Sequence, residues 1–262
     1  MPYAIPLKSQ LSNRAETSYP VRRTSPTRTT MILTPLLALG LALLCAASPC
    51  LGLGSGGAGA SVSSVVTEAF FDGIKSQAGN GCEGKNFYTR SAFVSAADAF
   101  PAFAHGGTEA EGKREIAAFF AHVTYETGYF CYINQIGKSQ VSCALSSQWP
   151  CAPGKKYYGR GPLQISWNFN YGPAGQSIGV DLLENPDKVA QDPVVSFKTA
   201  LWLWMTNAHK VMPTQGFGAT IRVLHGALEC NGKNPAAMKA RVGYYKDYCK
   251  QFGVDPGNNV TC

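Results

Sequence analysis

The feature that most constrains this chain is an uncharged apolar run followed by a scatter of cysteines. Leu36 to Ala47 carries no charge, and the small residues Ala46, Ala47, Ser48, Gly52 and Gly54 stand at or just beyond its end. The run is too short to span a bilayer comfortably and matches the apolar region of a secretory signal peptide. A buried helix is the alternative, but a core helix keeps a polar face and this run has none. Residues 1–54 are therefore expected to be a targeting region, with the signal peptide about 31–54. The Arg-, Ser- and Thr-rich residues 1–30 read as a basic leading region, a transit-like extension, or sequence upstream of a true start at Met31. No second long apolar run follows, so no membrane association is expected of the mature form.

Export changes the meaning of the cysteines. Seven remain after the signal: Cys82, Cys131, Cys143, Cys151, Cys230, Cys249 and Cys262. In an oxidising compartment they read as a disulfide framework with one thiol left over. Six bridged cysteines allow 15 connectivities, which spacing does not decide. Asn259-Val260-Thr261 is a glycosylation sequon close to the C-terminus.

Charge excludes little but weakens one class. Of 23 Lys and Arg, five lie in residues 1–54, and of 16 Asp and Glu only Glu16 does. That leaves 18 basic and 15 acidic residues beyond, close to balance. No basic run or zinc-type spacing strengthens a nucleic-acid reading.

Residues 55–64 are Gly/Ser-rich and read as a flexible lead-in, and 65–262 as one domain. Helical periodicity dominates. Val65, Phe70 and Ile74 suggest a first helix, and Ser91 reads as the cap of a second. Residues 113–127 are amphipathic, Ser196 to His209 carry an apolar face of Phe197, Ala200, Leu201 and Trp204, and 235–251 start at Pro235. Short strands are expected at Tyr157-Tyr158 and Leu163–Ser166. The class is mainly α, with long loops pinned by disulfides.

Within 113–127 the apolar stripe is Ile116, Phe119, Phe120 and Val123. Glu126 falls on that stripe, with His122 one turn before it and Gly128 ending the helix. A desolvated carboxyl at a core edge suits a general acid. The alternative is a core-edge Glu paired with a base or with backbone N–H groups. Residues 149–172 then alternate aromatics (Trp149, Tyr157, Tyr158, Trp167, Phe169, Tyr171) with Gln164, Ser166, Asn168 and Asn170. That mixture suits a sugar groove better than a plain core.

The segments AHVTYETGYFCY, QWPCAPGKKYYGRGPLQISWNFNYGPAG, NPDKVAQDPVVSFKTALWLWM and GFGATIRVLHGALECNG resemble glycoside hydrolase family 19, the plant endochitinases. The short loops make the chain most similar to the class IV type. The resemblance covers roughly 64–262 and implies a two-lobed, mainly helical, lysozyme-like fold with a substrate cleft. It implies bridges Cys82–Cys131, Cys143–Cys151 and Cys230–Cys262, with Cys249 free. Class IV members usually carry a small Cys-rich chitin-binding module in front, where this sequence has only the Gly/Ser stub.

The family's chemistry inverts the anomeric centre with an acid and a base set apart by room for a water. Glu126 matches the acid, with Tyr125 in place of the family's preceding His. Gln135, in Cys131-Tyr132-Ile133-Asn134-Gln135-Ile136, stands where the family has its base Glu, and an amide takes no proton from water. Thr127 to Val180 contains no Asp or Glu to replace it. Glu229, a family carboxylate partnered by Arg241, is the one stand-in. Ser166 matches the residue that holds the attacking water, and Trp149, Tyr157, Gln164 and Asn170 match substrate contacts. His225 replaces a family Asn beside the water. The resemblance implies a secreted, extracellular, cell-wall or vacuolar, monomeric protein that takes chitin or chitin oligosaccharides, with no cofactor, metal or nucleic-acid partner. Two readings follow: an endochitinase of the plant-defence kind with weak or absent turnover, or a chitinase-like protein that holds a glycan without cutting it.

Overall fold

The computed structural model describes residues 59–138 and 141–262. The expected targeting segment and the start of the lead-in lie outside the described residues. Among the described residues there are eleven helices: α1 (Val62–Val65), α2 (Glu68–Lys75), α3 (Gly84–Phe87), α4 (Arg90–Ala97), α5 (Glu109–Thr127), α6 (Asn168–Ile178), α7 (Lys188–Gln191), α8 (Pro193–Asn207), α9 (Met212–Gln215), α10 (Phe217–Glu229) and α11 (Pro235–Gln251). None is long and apolar enough to cross a membrane.

Local chemistry sets the boundaries. The Thr67 and Thr89 side chains accept from Phe70 and Ala92 N–H and start α2 and α4. The expected first helix is therefore split, with Val65 ending α1 and Phe70 and Ile74 on α2, and Ser91 is not the cap of α4, because Thr89 reaches the free N–H groups first. Asp192 caps α8, with Pro193 in the first turn, so α8 starts three residues before the expected Ser196 and ends two before His209. At α5, Thr108 and Glu111 form a reciprocal capping box, and Gly128 ends the helix at φ 58°, ψ 57°.

Helix α5 is more enclosed than its stripe implies. Every residue from Glu115 to Thr124 is buried. Ala117, Ala118 and Ala121 let neighbours close on the face that periodicity marked as outer. Helix α11 packs along α5, and α4 along α8. The larger core gathers Phe71, Phe93, Phe119, Phe120, Phe197 and Trp204 with other buried apolar residues. Edge-to-face pairs such as Phe93–Phe120, with centroids 4.8 Å apart, run through it. A second, smaller core of Tyr157, Ile165, Tyr171, Ala174, Leu182 and Val189 makes the other lobe.

The lead-in is not wholly loose. Ala60 is fully buried and its N–H donates to Ala104 O at 2.9 Å. The expected strands are absent among the described residues. Only isolated bridges join Asn134 to Arg160 and Arg160 to Ile165. The Gly161 turn, closed by Gln164 N–H on Gly161 O, breaks the extended backbone before a ladder can form.

Three disulfides join Cys82 to Cys131, Cys143 to Cys151 and Cys230 to Cys262. Cys249 is the buried free thiol, and burial pushes its pKa up to about 11. At that value it is no nucleophile in ordinary conditions.

Candidate active site

Glu126 sits in the last turn of α5 with a side chain 13% exposed. Helices α10 and α11 bring its partners. His225 and Glu229 lie one turn apart on α10, and Arg241 comes from α11. Arg241 is 1% exposed and satisfies two carboxylates. Its Nε and Nη2 donate to Glu229 at 2.9 and 2.8 Å, and Nη2 also donates to Glu126 Oε1. His225 Nε2 stands 3.3 Å from the same Oε1. Glu126 Oε2 takes no bond from the described residues and is the oxygen left for a ligand. The guanidinium lies over the Tyr125 ring at 4.1 Å.

The histidine protonation states follow from these contacts. A guanidinium only donates, so His122 Nδ1 accepts from Arg241 Nη1 at 3.2 Å. His122 Nε2 then carries the hydrogen and donates to Thr220 Oγ1 at 2.9 Å. Burial and the Arg241 charge push both His122 and His225 well below the usual histidine range. The two neutral rings stack with centroids 5.7 Å apart. Arg241 is the one permanently charged group of this cluster. Glu126, His225 and Glu229 each present an atom within 4.8 Å of the others. Arg241 already bonds both carboxylates there, and its fixed charge opposes a metal cation.

Arg241 pairs with Glu126 through Oε1 and leaves Oε2 open, so the arrangement contains both the pairing and a free carboxyl oxygen. Periodicity within 113–127 sees neither α10 nor α11, so it points to burial alone.

The loop after α5 carries Gln135. Its N–H donates to Gly159 O at 2.8 Å, and its Oε1 accepts from Gly159 N–H at 3.0 Å. Gln164 Nε2 donates to Gly161 O at 2.8 Å and to Ile133 O at 3.4 Å. Gln135 and Gln164 thus share one wall, between the 131–136 loop and the 159–164 turn. Gln164 and Trp167 hold left-handed φ of 49° and 73°, strain of a kind that collects at functional sites. Ser166 is partly exposed; its carbonyl accepts from Asn170 Nδ2 at 2.9 Å, and its hydroxyl takes no bond from the described residues.

Glu83 was not visible as a neighbour of this loop. Its Oε1 accepts from Ile133 N–H at 3.2 Å and Asn134 N–H at 3.4 Å. The signal was the cysteine beside it: the Cys82–Cys131 bridge carries Glu83 to the loop.

The aromatic stretch divides. Tyr157 is fully buried; its hydroxyl accepts from Ala152 N–H and donates to Leu183 O, both at 2.9 Å. It belongs to the smaller core and, in this structure, has no surface open to the cleft, whereas the sequence reading has it as a substrate contact. Asn168 is likewise buried, tying Ala144 and Trp149 backbone groups at 2.7–2.8 Å. Trp149 rests on α6, where a Cβ on Gly172 would fall 2.3 Å from its ring. No hydrogen bond joins it to the Glu126 or Gln135 groups. Alternation of aromatic and amide residues could not separate those facing inward from those facing out, because the chain here turns too often to keep one period.

A family model described as Chitinase class I, glycoside hydrolase family 19, matches residues 65–215 and 207–262. Endochitinase A of Zea mays is 72% identical over 202 residues, covering 77% of this chain and 72% of that protein. Chitinase 4 of Oryza sativa subsp. japonica is 64% identical over 232 residues, covering 83% and 81%. The crystal structure of the family GH19, class IV chitinase from Zea mays superimposes with a TM-score of 0.75 at 70% identity, covering 76% of this chain and 98% of that one.

Proposed function

The chain belongs to the glycoside hydrolase family 19 chitinases, and we propose that its cleft binds β-1,4-linked N-acetylglucosamine oligomers while hydrolysing them weakly or not at all. The observation that carries this reading is Gln135, whose amide faces Gly159; the resemblance to the family is what assigns that residue the place of the base. An amide oxygen can hold a water but cannot take its proton. Loss of general-base help is worth about 10²–10⁴-fold in rate. Two carboxylates among the described residues are committed elsewhere. Both Glu229 oxygens are bonded to Arg241, and Glu83 is bound to backbone N–H groups of the loop.

Binding rests on groups that remain free. Glu126 Oε2 and the Ser166 hydroxyl are open, Gln164 and Asn170 offer their amide oxygens, and His225 and Arg241 support the acid. Between a weakened endochitinase and a chitinase-like protein that only holds a glycan, Glu126 favours the enzyme, since the resemblance gives it the acid's place and its Oε2 is unbonded. We place the targeting region at 1–54, the lead-in at 55–64 and the catalytic-type domain at 65–262. The protein is secreted to the extracellular space, wall or vacuole as a monomer that acts in defence or chitin turnover.

Titration calorimetry with a chitin hexamer tests the binding claim. Saturable binding by wild type, weakened by Ser166→Ala, is expected. Absence of binding by wild type overturns both readings of the cleft.

A further inference from the structure

A second titratable cluster lies on α5 away from the cleft. Glu115 is eleven residues before Glu126, about 16 Å along the helix. It is 5% exposed and fully committed: Oε1 accepts from Trp204 Nε1 at 2.8 Å and His209 Nδ1 at 2.6 Å, and Oε2 from Ala104 N–H at 2.9 Å. A carboxylate on Nδ1 fixes the ring and leaves Nε2 to face outward. The Cε1–Nε2 edge lies beside Gly106, where a Cβ would stand 3.6 and 3.9 Å from those atoms.

That edge borders a cavity of about 110 Å³, several times what one water needs, roughly 10–15 Å³. Gly106, Gly107, Arg114, His209 and Lys210 line it, with Glu111 and Glu115. Glu115 is bound inward, and Glu111 is spent on a local contact, its Oε2 set beside Gly107. Glu111 Oε2 accepts from the Thr108 N–H and hydroxyl at 2.7 and 2.8 Å, as part of the α5 capping box. The cations are less engaged. Lys210 makes no ion pair among the described residues, and the Arg114 contact is a long 3.5 Å one to Asp255 O. Neither Gly106 nor Gly107 N–H is bonded among the described residues. The α5 N-terminus adds its positive end.

We propose that this cavity is a pH-gated site for a small oxyanion, held by His209, Lys210, Arg114 and the Gly106–Gly107 backbone. Protonation of His209 Nε2 adds the deciding charge. The groups facing the ring are Glu115, Arg114 and Glu111 from α5 and its neighbour Lys210. Glu115 raises the His209 pKa above the ordinary 6.5, so the site is charged below that value and loses the charge as pH rises through the raised one.

Sulfate is the probe, since its charge stays fixed from pH 5.5 to 8. The full chain, labelled with ¹⁵N, is titrated with sulfate at constant ionic strength set by chloride. Saturable shifts of the Gly106 and Gly107 amides are expected at pH 5.5, with affinity at least tenfold weaker at pH 8. Lys210→Ala should weaken binding at pH 5.5 several-fold, and His209→Gln should bring it to the wild-type level of pH 8. No saturable shift at pH 5.5, equal affinity at both pH values, or wild-type binding by both variants overturns the proposal.

Discussion

Arg241 joins more of the candidate site than any other side chain described. It bonds Glu126 and Glu229, donates to His122 and lies over Tyr125. Removing one partner of a buried ion pair leaves an uncompensated charge and costs about 3–5 kcal/mol. Arg241→Met should lose about that much stability in urea unfolding, because Glu229 stays buried beside it; a loss below about 1 kcal/mol would mean the cluster relaxes without it. Tyr157 provides the contrast. Tyr157→Phe leaves Ala152 N–H without its acceptor and should cost about 1–3 kcal/mol. Hexamer affinity should stay within about twofold, as its hydroxyl is spent inside the smaller core. A large drop in affinity with unchanged stability would return Tyr157 to the cleft. Glu126 and Gln135 could be singled out from sequence because each breaks a local pattern. The inward turn of Tyr157 and Asn168 could not, since it depends on contacts with 144–152 and Leu183.

At the scale of the element, α5 links two opposing pH effects. His209 has a raised pKa beside Glu115. Its contribution to stability is complete below the unfolded value of about 6.5 and is lost as pH climbs through the folded value. His122 and His225 are pushed the other way, so they withdraw stability as pH falls below about 6.5. The difference between wild type and His209→Gln isolates the first effect. The gap in thermal midpoint should be widest near pH 5.5 and shrink towards pH 9; a gap constant with pH would show that the His209–Glu115 contact carries no charge-dependent stability. Helix existence was readable from periodicity for α5, α8 and α11. Starts were less so, because Thr89, Thr108 and Asp192 compete for the free N–H groups through side-chain geometry that a stripe of apolar residues does not record. Helix α6, in the aromatic-rich stretch, has little apolar period to detect. Helix α10 mixes its apolar face with His225 and Glu229.

At the largest scale the described residues form two cores with three disulfides, and the bridges bear on the site. The Cys230–Cys262 bridge closes a separation of 32 residues and holds the C-terminal tail against α10. Gly218 N–H donates to Asn259 O at 2.8 Å, and Arg222 Nη2 to Cys262 O at 3.1 Å. Replacing both cysteines by Ser should lower stability by about 3–4 kcal/mol on loop entropy, read by denaturant unfolding. An unchanged midpoint would mean that the tail contacts alone suffice. The cysteine count pointed to such a framework, while which cysteines pair came from resemblance, since spacing leaves 15 arrangements open. The account as a whole turns on Gln135. The most direct test is hydrolysis of a chitin hexamer by wild type and Gln135→Glu side by side. Little or no turnover by wild type, rising by about 10²–10⁴-fold in the variant, is the predicted result. Wild-type turnover equal to that of Gln135→Glu would contradict it, because another group would then be activating the water.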